Sequence, residues 1–116
     1  MARSRPTPFQ LHCPLPLDGF THVYFMRMGG IDVIKIGYTK RFKSRMQLTR
    51  YELRPMEEPL TLLTAFPGGR SEETLLHTRF KQDRIWREWF TLTDGLKQLI
   101  ACVALNRALV LWASLQ

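Results

Sequence analysis

The chain has 116 residues, 45% of them apolar, enough for one modest core and too few for a second domain. Its 17 lysines and arginines against 10 acidic residues give a net charge of +7, the balance of a protein that meets a polyanion. Cys13 and Cys102 lie too far apart to be a disulfide framework, and His12-Cys13 has no second ligand pair at zinc-finger spacing, which excludes the common metal-finger classes.

Residues 1–20 carry Pro6, Pro8, Pro14 and Pro16 with Arg3 and Arg5, and read as an extended arm with no apolar leader segment. Residues 21–116 form the expected domain. The most apolar segment, 99–112, is interrupted by Asn106 and Arg107 and falls short of the roughly 20 apolar residues a membrane span needs. The expected setting is cytoplasmic, with no membrane contact and no small-molecule substrate.

The stretch HVYFMRMGGIDVIKIGY at 22–38 reads as a β-hairpin, two runs rich in Val, Ile, Phe and Tyr around Gly29-Gly30. A two-glycine loop pairs Met28 with Ile31, Arg27 with Asp32, Phe25 with Ile34 and Tyr24 with Lys35. It sets the Tyr24 and Lys35 Cβ atoms about 5 Å apart. Thr39 then caps a short helix over 40–49, with Phe42 and Met46 on one face and Arg41 and Arg45 on an adjacent one. A loop follows over 50–59, then an apolar strand over 60–66 closed by Pro67-Gly68-Gly69.

Ser71 is the expected cap of a second helix over 72–82. On it Glu73, His77 and Phe80 share a face, and Leu75, Leu76 and Phe80 supply core. Residues 84–92 are aromatic and extended, with Trp86, Trp89 and Phe90 read as core. Thr93 or Asp94 caps a last helix running to about Leu111, apolar on most sides, which predicts deep packing or a homodimer contact. The fold class is α/β: a small central antiparallel sheet of about three strands flanked by helices.

The ordered set Tyr24, Lys35-Ile36-Gly37, Thr39, Arg45, Glu73, His77, Phe80 and Glu88-Trp89-Phe90 resembles the GIY-YIG nucleases, above all their small phage and bacterial branch. In that family a G-[IV]-Y strand is followed after about ten residues by a Y-I-G strand, often K-I-G-x-T in the small branch. Here His22-Val23-Tyr24 and Lys35-Ile36-Gly37 stand ten residues apart, with Thr39 two positions on. His22 and Arg87 occupy places the family gives to glycine. The resemblance spans roughly 21–100.

The resemblance implies a DNA-directed endonuclease that hydrolyses phosphodiesters with one divalent metal ion, Mg²⁺ or Mn²⁺. It assigns catalysis to Tyr24, Lys35, Arg45, Glu73 and His77, with Glu73 as the metal ligand. Arg41, Lys43 and Arg50 supply nucleic-acid contacts. The alternative is a DNA-binding module of the same fold that cleaves weakly or not at all. The residue types suit the chemistry. A carboxylate holds a hard cation largely through waters and substrate oxygens, and an arginine forks two phosphoryl oxygens. A phenol with an ordinary pKa of about 10 becomes a base once a cation favours its phenolate.

Overall fold

The computed structural model describes residues 20–52 and 59–114. The arm expected over 1–20 lies outside the described residues except for Phe20, as does most of the loop expected over 50–59. Five strands, β1 (His22–Met28), β2 (Val33–Thr39), β3 (Leu60–Pro67), β4 (Arg84–Trp86) and β5 (Trp89–Thr91), form one antiparallel sheet in the order β3-β1-β2-β5-β4. Helices α1 (Phe42–Glu52), α2 (Arg70–Arg79) and α3 (Asp94–Ser114) flank it.

The sheet is therefore larger than the three strands expected. The two extra strands come from residues 84–91, which fold back on themselves instead of running extended. No Gly, Asn or Asp marks that turn. Arg87 takes it instead with φ of 51°, and among the described residues it is the one non-glycine at positive φ. Trp86 and Trp89 pair across this turn. Only Trp89 is buried; Trp86, expected in the core, is 61% exposed.

The β1–β2 hairpin forms with a register two residues away from the two-glycine expectation: Tyr24 opposes Gly37, Met26 opposes Lys35 and Arg27 opposes Ile34. Gly29 does take positive φ, and Ile31 N–H donates to the Met28 carbonyl as a two-residue turn requires. Buried Arg27 then gathers the next residues, donating to the carbonyls of Gly30 and Ile31 and to the Asp32 carboxylate at 3.0–3.2 Å. Arg27 and Asp32 do pair, as a loop clamp and not as a ladder position. An even slip preserves the two-residue alternation of faces, so Tyr24 and Lys35 still share one face, as diagonal neighbours.

That alternation divides the core. On one face Val23, Phe25, Ile34, Ile36, Leu63 and Phe90 pack with Leu92, Leu96 and Ile100, backed by Leu76 and Phe80. On the other, Tyr24, Met26, Met28, Leu60, Leu62, Ala65 and Trp89 pack with Phe42, backed by Met46. Thus α2 and α3 cover one face and α1 the other. β3 serves both without strict alternation because its register against β1 shifts between Phe25 and Met26.

The helix starts refine the expected caps. Thr39 Oγ1 accepts from the Arg41 N–H at 3.0 Å just ahead of α1. Thr93 Oγ1 accepts from the Leu96 N–H at the start of α3. For α2 the cap is Gly69, not Ser71, and Glu72 folds back so that its carboxylate accepts from the Gly69 N–H. Leu75, expected in the core, is 69% exposed. The side chains of Leu109, Val110 and Trp112, on which the expected dimer contact depends, lie outside the described residues. No helix among the described residues is long and apolar enough to cross a membrane.

Candidate active site

The site grows from a shortfall in the sheet. β5 pairs with Val33, Ile34 and Lys35, and the Ile36 N–H reaches the Glu88 carbonyl; beyond that point β5 stops. The far half of β2 would leave backbone groups without a ladder partner, and buried groups of that kind are costly. Two side chains one turn apart on α2 supply partners. The His77 ring donates Nε2–H to the Ile36 carbonyl at 2.9 Å, and the Glu73 carboxylate accepts from the Tyr38 N–H. The i, i+4 spacing on α2 thus substitutes for a strand edge.

Both nitrogens of His77 are engaged. Arg84 approaches Nδ1 at 3.4 Å, and the ring packs edge-on against Phe90 with centroids 5.0 Å apart. His77 Nε2 is also 3.8 Å from a Glu73 carboxylate oxygen. These contacts give His77 the duty of holding α2, and Glu73 with it, against the edge of β2.

Glu72 and Glu73 have opposite environments. Glu72 is exposed, and the Gly69 amide holds its carboxyl below the ordinary value. Glu73 is turned inward at 14% side-chain exposure, and burial pushes its carboxyl upward. The His77 ring and the Arg45 guanidinium work against that rise, as does the Tyr38 amide, while negative charge on Glu88 adds to it.

Tyr24 lies across Gly37 on the same face as Lys35. A Cβ on residue 37 would meet Tyr24 Cζ at 2.6 Å, so glycine there is what admits the ring. The ring is fully buried, edge-on to Phe42 at 5.9 Å between centroids. Its hydroxyl is a buried side-chain oxygen with no hydrogen-bond partner among the described residues. Burial drives the phenol far above its ordinary value; Arg45 pulls it back, and the carboxylates of Glu88, Glu73 and Glu52 push it further up.

Lys35 is buried on the third of five strands, so it is no edge-strand lysine reaching for water. Its Nζ donates to Thr49 Oγ1 at 3.2 Å and lies 3.6 Å from the Glu88 carboxylate. Thr49 in turn donates to the Arg45 carbonyl one turn back on α1. The expected partnership of the Lys35 ammonium with the Tyr24 phenolate is replaced: Glu88 and Thr49 take the ammonium, and Arg45 is the cation that acts on Tyr24.

Two depressions meet at Arg45. A cleft of about 510 Å³ is lined by Lys35, Arg45, Glu52, Trp86, Arg87 and Glu88. A shallower groove is lined by Thr39, Lys40, Arg41, Ser44, Arg45 and Leu48. Arg41, Lys43 and Arg50 are all solvent-exposed on or beside α1. Glu88, Thr49, Trp86 and Arg87 join the site without having been assigned a site role from the sequence. Glu88 was visible only as part of Glu-Trp-Phe, and Thr49 had no sequence signal.

A phage-associated class of domain related to nuclease-like folds is what comparison of the chain with known families returns. The match is to the T5orf172 domain over residues 21–107, and the chain belongs to that family. No curated protein and no solved structure matches the chain.

Proposed function

We propose that this protein is a DNA-directed endonuclease of GIY-YIG type that hydrolyses phosphodiester bonds with one divalent cation, Mg²⁺ or Mn²⁺. The observation that carries the reading is the meeting of Tyr24 from β1, Arg45 from α1 and Glu73 from α2 where β5 stops, near enough to act on one another's charge. Membership of a nuclease-related phage domain family supports it, as does the basic surface of α1.

Hydrolysis of a phosphodiester asks for charge neutralisation on the phosphoryl oxygens, an activated water and help for the leaving oxygen. Arg45, shared by the groove and the cleft, is set to fork the phosphoryl oxygens, and Lys35 holds Glu88 in the wall of the cleft. Tyr24 holds its proton at Oη, because burial outweighs the pull of Arg45. It would act as a base only where further positive charge offsets both burial and the neighbouring carboxylates, charge that a bound cation would supply and an anionic substrate would not. His77 keeps Glu73 in place through the edge of β2.

Among the described residues no three His, Cys, Asp or Glu side chains gather into a ready-made metal cage. The inward Glu73 carboxylate beside the partnerless Tyr24 hydroxyl instead fits a hydrated hard cation held by one protein ligand. Glu73 would hold it, and when bound it supplies charge neutralisation at the phosphoryl oxygens.

The alternative is a DNA-binding module of the same fold that cleaves weakly or not at all. The complete burial of the Tyr24 hydroxyl is the observation in its favour. A supercoiled-plasmid nicking assay with and without Mg²⁺ separates the two. Cation-dependent nicking lost in Glu73→Gln supports the nuclease. Tight, salt-sensitive DNA binding without nicking supports the module. Binding that ignores salt removes nucleic acid from both, since log affinity falls by roughly 0.9 per phosphate contact for each unit of log salt on duplex DNA.

A further inference from the structure

Trp86 is the most exposed large aromatic of the sheet among the described residues. It is 61% exposed at the tip of the β4–β5 hairpin, while its cross-strand partner Trp89 is buried. One face of the Trp86 ring is engaged: the Arg87 guanidinium carbon lies 4.7 Å from the ring centroid. Arg87 holds this position from a backbone at φ of 51°, a region that favours glycine. Non-glycine residues in such conformations cluster where their side chains have work to do.

The hairpin tip is also one wall of the cleft. Trp86 and Arg87 line it beside Lys35, Arg45 and Glu88. Lys35 and Glu88 are paired at 3.6 Å, which leaves Arg45 and Arg87 as the wall's outstanding positive charges beside a flat, exposed aromatic surface, with Glu52 as the opposing carboxylate. A π-face flanked by guanidinium groups suits a nucleobase with its phosphate. Within a duplex each base is already stacked on both sides, so an indole at a cleft mouth gains stacking only from a base that is unpaired or at a strand end.

We infer that Trp86, backed by Arg87, is a stacking platform for an unpaired nucleobase, so that the cleft takes single-stranded or locally unpaired nucleic acid in preference to intact duplex. The inference rests on the nucleic-acid reading of the site and names its substrate class. Trp86 is a specificity-determining contact and takes no part in bond cleavage. The partner is recognised through stacking and charge, with no base-edge readout, so sequence preference should be slight.

The test measures binding in EDTA, where cleavage does not intervene. Fluorescence anisotropy is read with a labelled oligothymidine and with a labelled blunt duplex of equal length, at one fixed salt concentration. Trp86→Ala should weaken single-strand binding by about 5- to 150-fold, the range for loss of one base–aromatic stack, and leave duplex binding within about threefold. Trp86→Phe should restore most of the loss, and Arg87→Gly should reproduce part of it. Circular dichroism should match wild type throughout, because the side chain is exposed. Equal affinities of wild type and Trp86→Ala for the single strand overturn the inference alone, as the outcome expected if the indole serves a protein partner. Equal losses on both probes also overturn it. A wild type that binds neither probe overturns both the inference and the nucleic-acid reading beneath it.

Discussion

The Tyr24 ring packs against Gly37 on the neighbouring strand, and a single methyl group at position 37 would collide with the ring at Cζ. Gly37 thus does more than permit a strand. It opens the space that lets an aromatic hydroxyl sit within electrostatic reach of Arg45 and Glu73. Gly37→Ala should therefore destabilise the fold by about 1–3 kcal/mol through overpacking. It should also reduce nicking beyond what the stability loss explains, because the phenol must move. Thermal denaturation and plasmid nicking at a temperature where the variant is fully folded separate these effects. Unchanged nicking would show that Tyr24 need not occupy its observed position.

Tyr24→Phe tests the hydroxyl without disturbing the ring. The hydroxyl is buried with no hydrogen-bond partner among the described residues. Leaving such a group unsatisfied costs about 1–3 kcal/mol. The variant should be as stable as wild type or more so by up to that amount, while cleavage falls by about 10²–10⁴-fold, the range for loss of a general acid–base group. A variant that cleaves normally would remove Tyr24 from the chemistry.

Glu73→Gln should separate stability from activity through pH. Burial, first among the influences on Glu73, holds its folded-state value above the ordinary 4.5. Between these two values the folded chain keeps a proton that the unfolded chain has lost. The contribution of Glu73 to stability is therefore greatest in acid and declines as pH rises through that window. At neutral pH the ionised carboxylate opposes folding. Glutamine can still accept from the Tyr38 N–H, so Glu73→Gln should melt at or above the wild-type temperature at pH 7, with the gap closing toward pH 4. Cation-dependent nicking should be lost. A melting temperature well below wild type at pH 7 would mean that the charge itself holds α2 to β2.

Lys35→Met removes a buried ammonium and leaves the Glu88 carboxylate, already 40% exposed, to water. Thr49 keeps its bond to the Arg45 carbonyl. Stability should change by less than about 1.5 kcal/mol, as for a near-isosteric swap in a core. Single-turnover cleavage should fall at least about tenfold as the ammonium that fixes Glu88 and Thr49 at the cleft wall is lost. The ascending limb of the pH–rate profile, which reports the base, should stay in place, because Arg45 and not Lys35 is the cation acting on Tyr24. The corresponding Arg45→Met variant should move that limb to higher pH. A shift with Lys35→Met and none with Arg45→Met would reverse the two roles.

The amino-acid sequence by itself determined much of this protein: the hairpin over 22–38, the strand over 60–66, the three helices, and the shared face of Tyr24 and Lys35. These follow from short-range rules, since strand alternation has period two, helix faces recur at three and four residues, and glycines mark turns. Even the two-residue error in register left Tyr24 and Lys35 on one face, because an even slip preserves parity. The resemblance to the GIY-YIG pattern singled out Glu73, which the structure turns inward while Glu72 stays exposed. What only the tertiary structure decided were the matters set by distant neighbours. A buried arginine, Arg27, lengthened the hairpin loop. An arginine at positive φ made a hairpin where no turn residue announced one, adding two strands and exposing Trp86. Lys35 was claimed by Thr49 and Glu88, which lie 14 and 53 positions away in sequence. The charge acting on Tyr24 came from Arg45 on a helix that packs over its face. Local periodicity says which way a side chain points, but the partner it meets depends on how separate elements pack, and that is fixed by burial and hydrogen-bond satisfaction across the whole sheet.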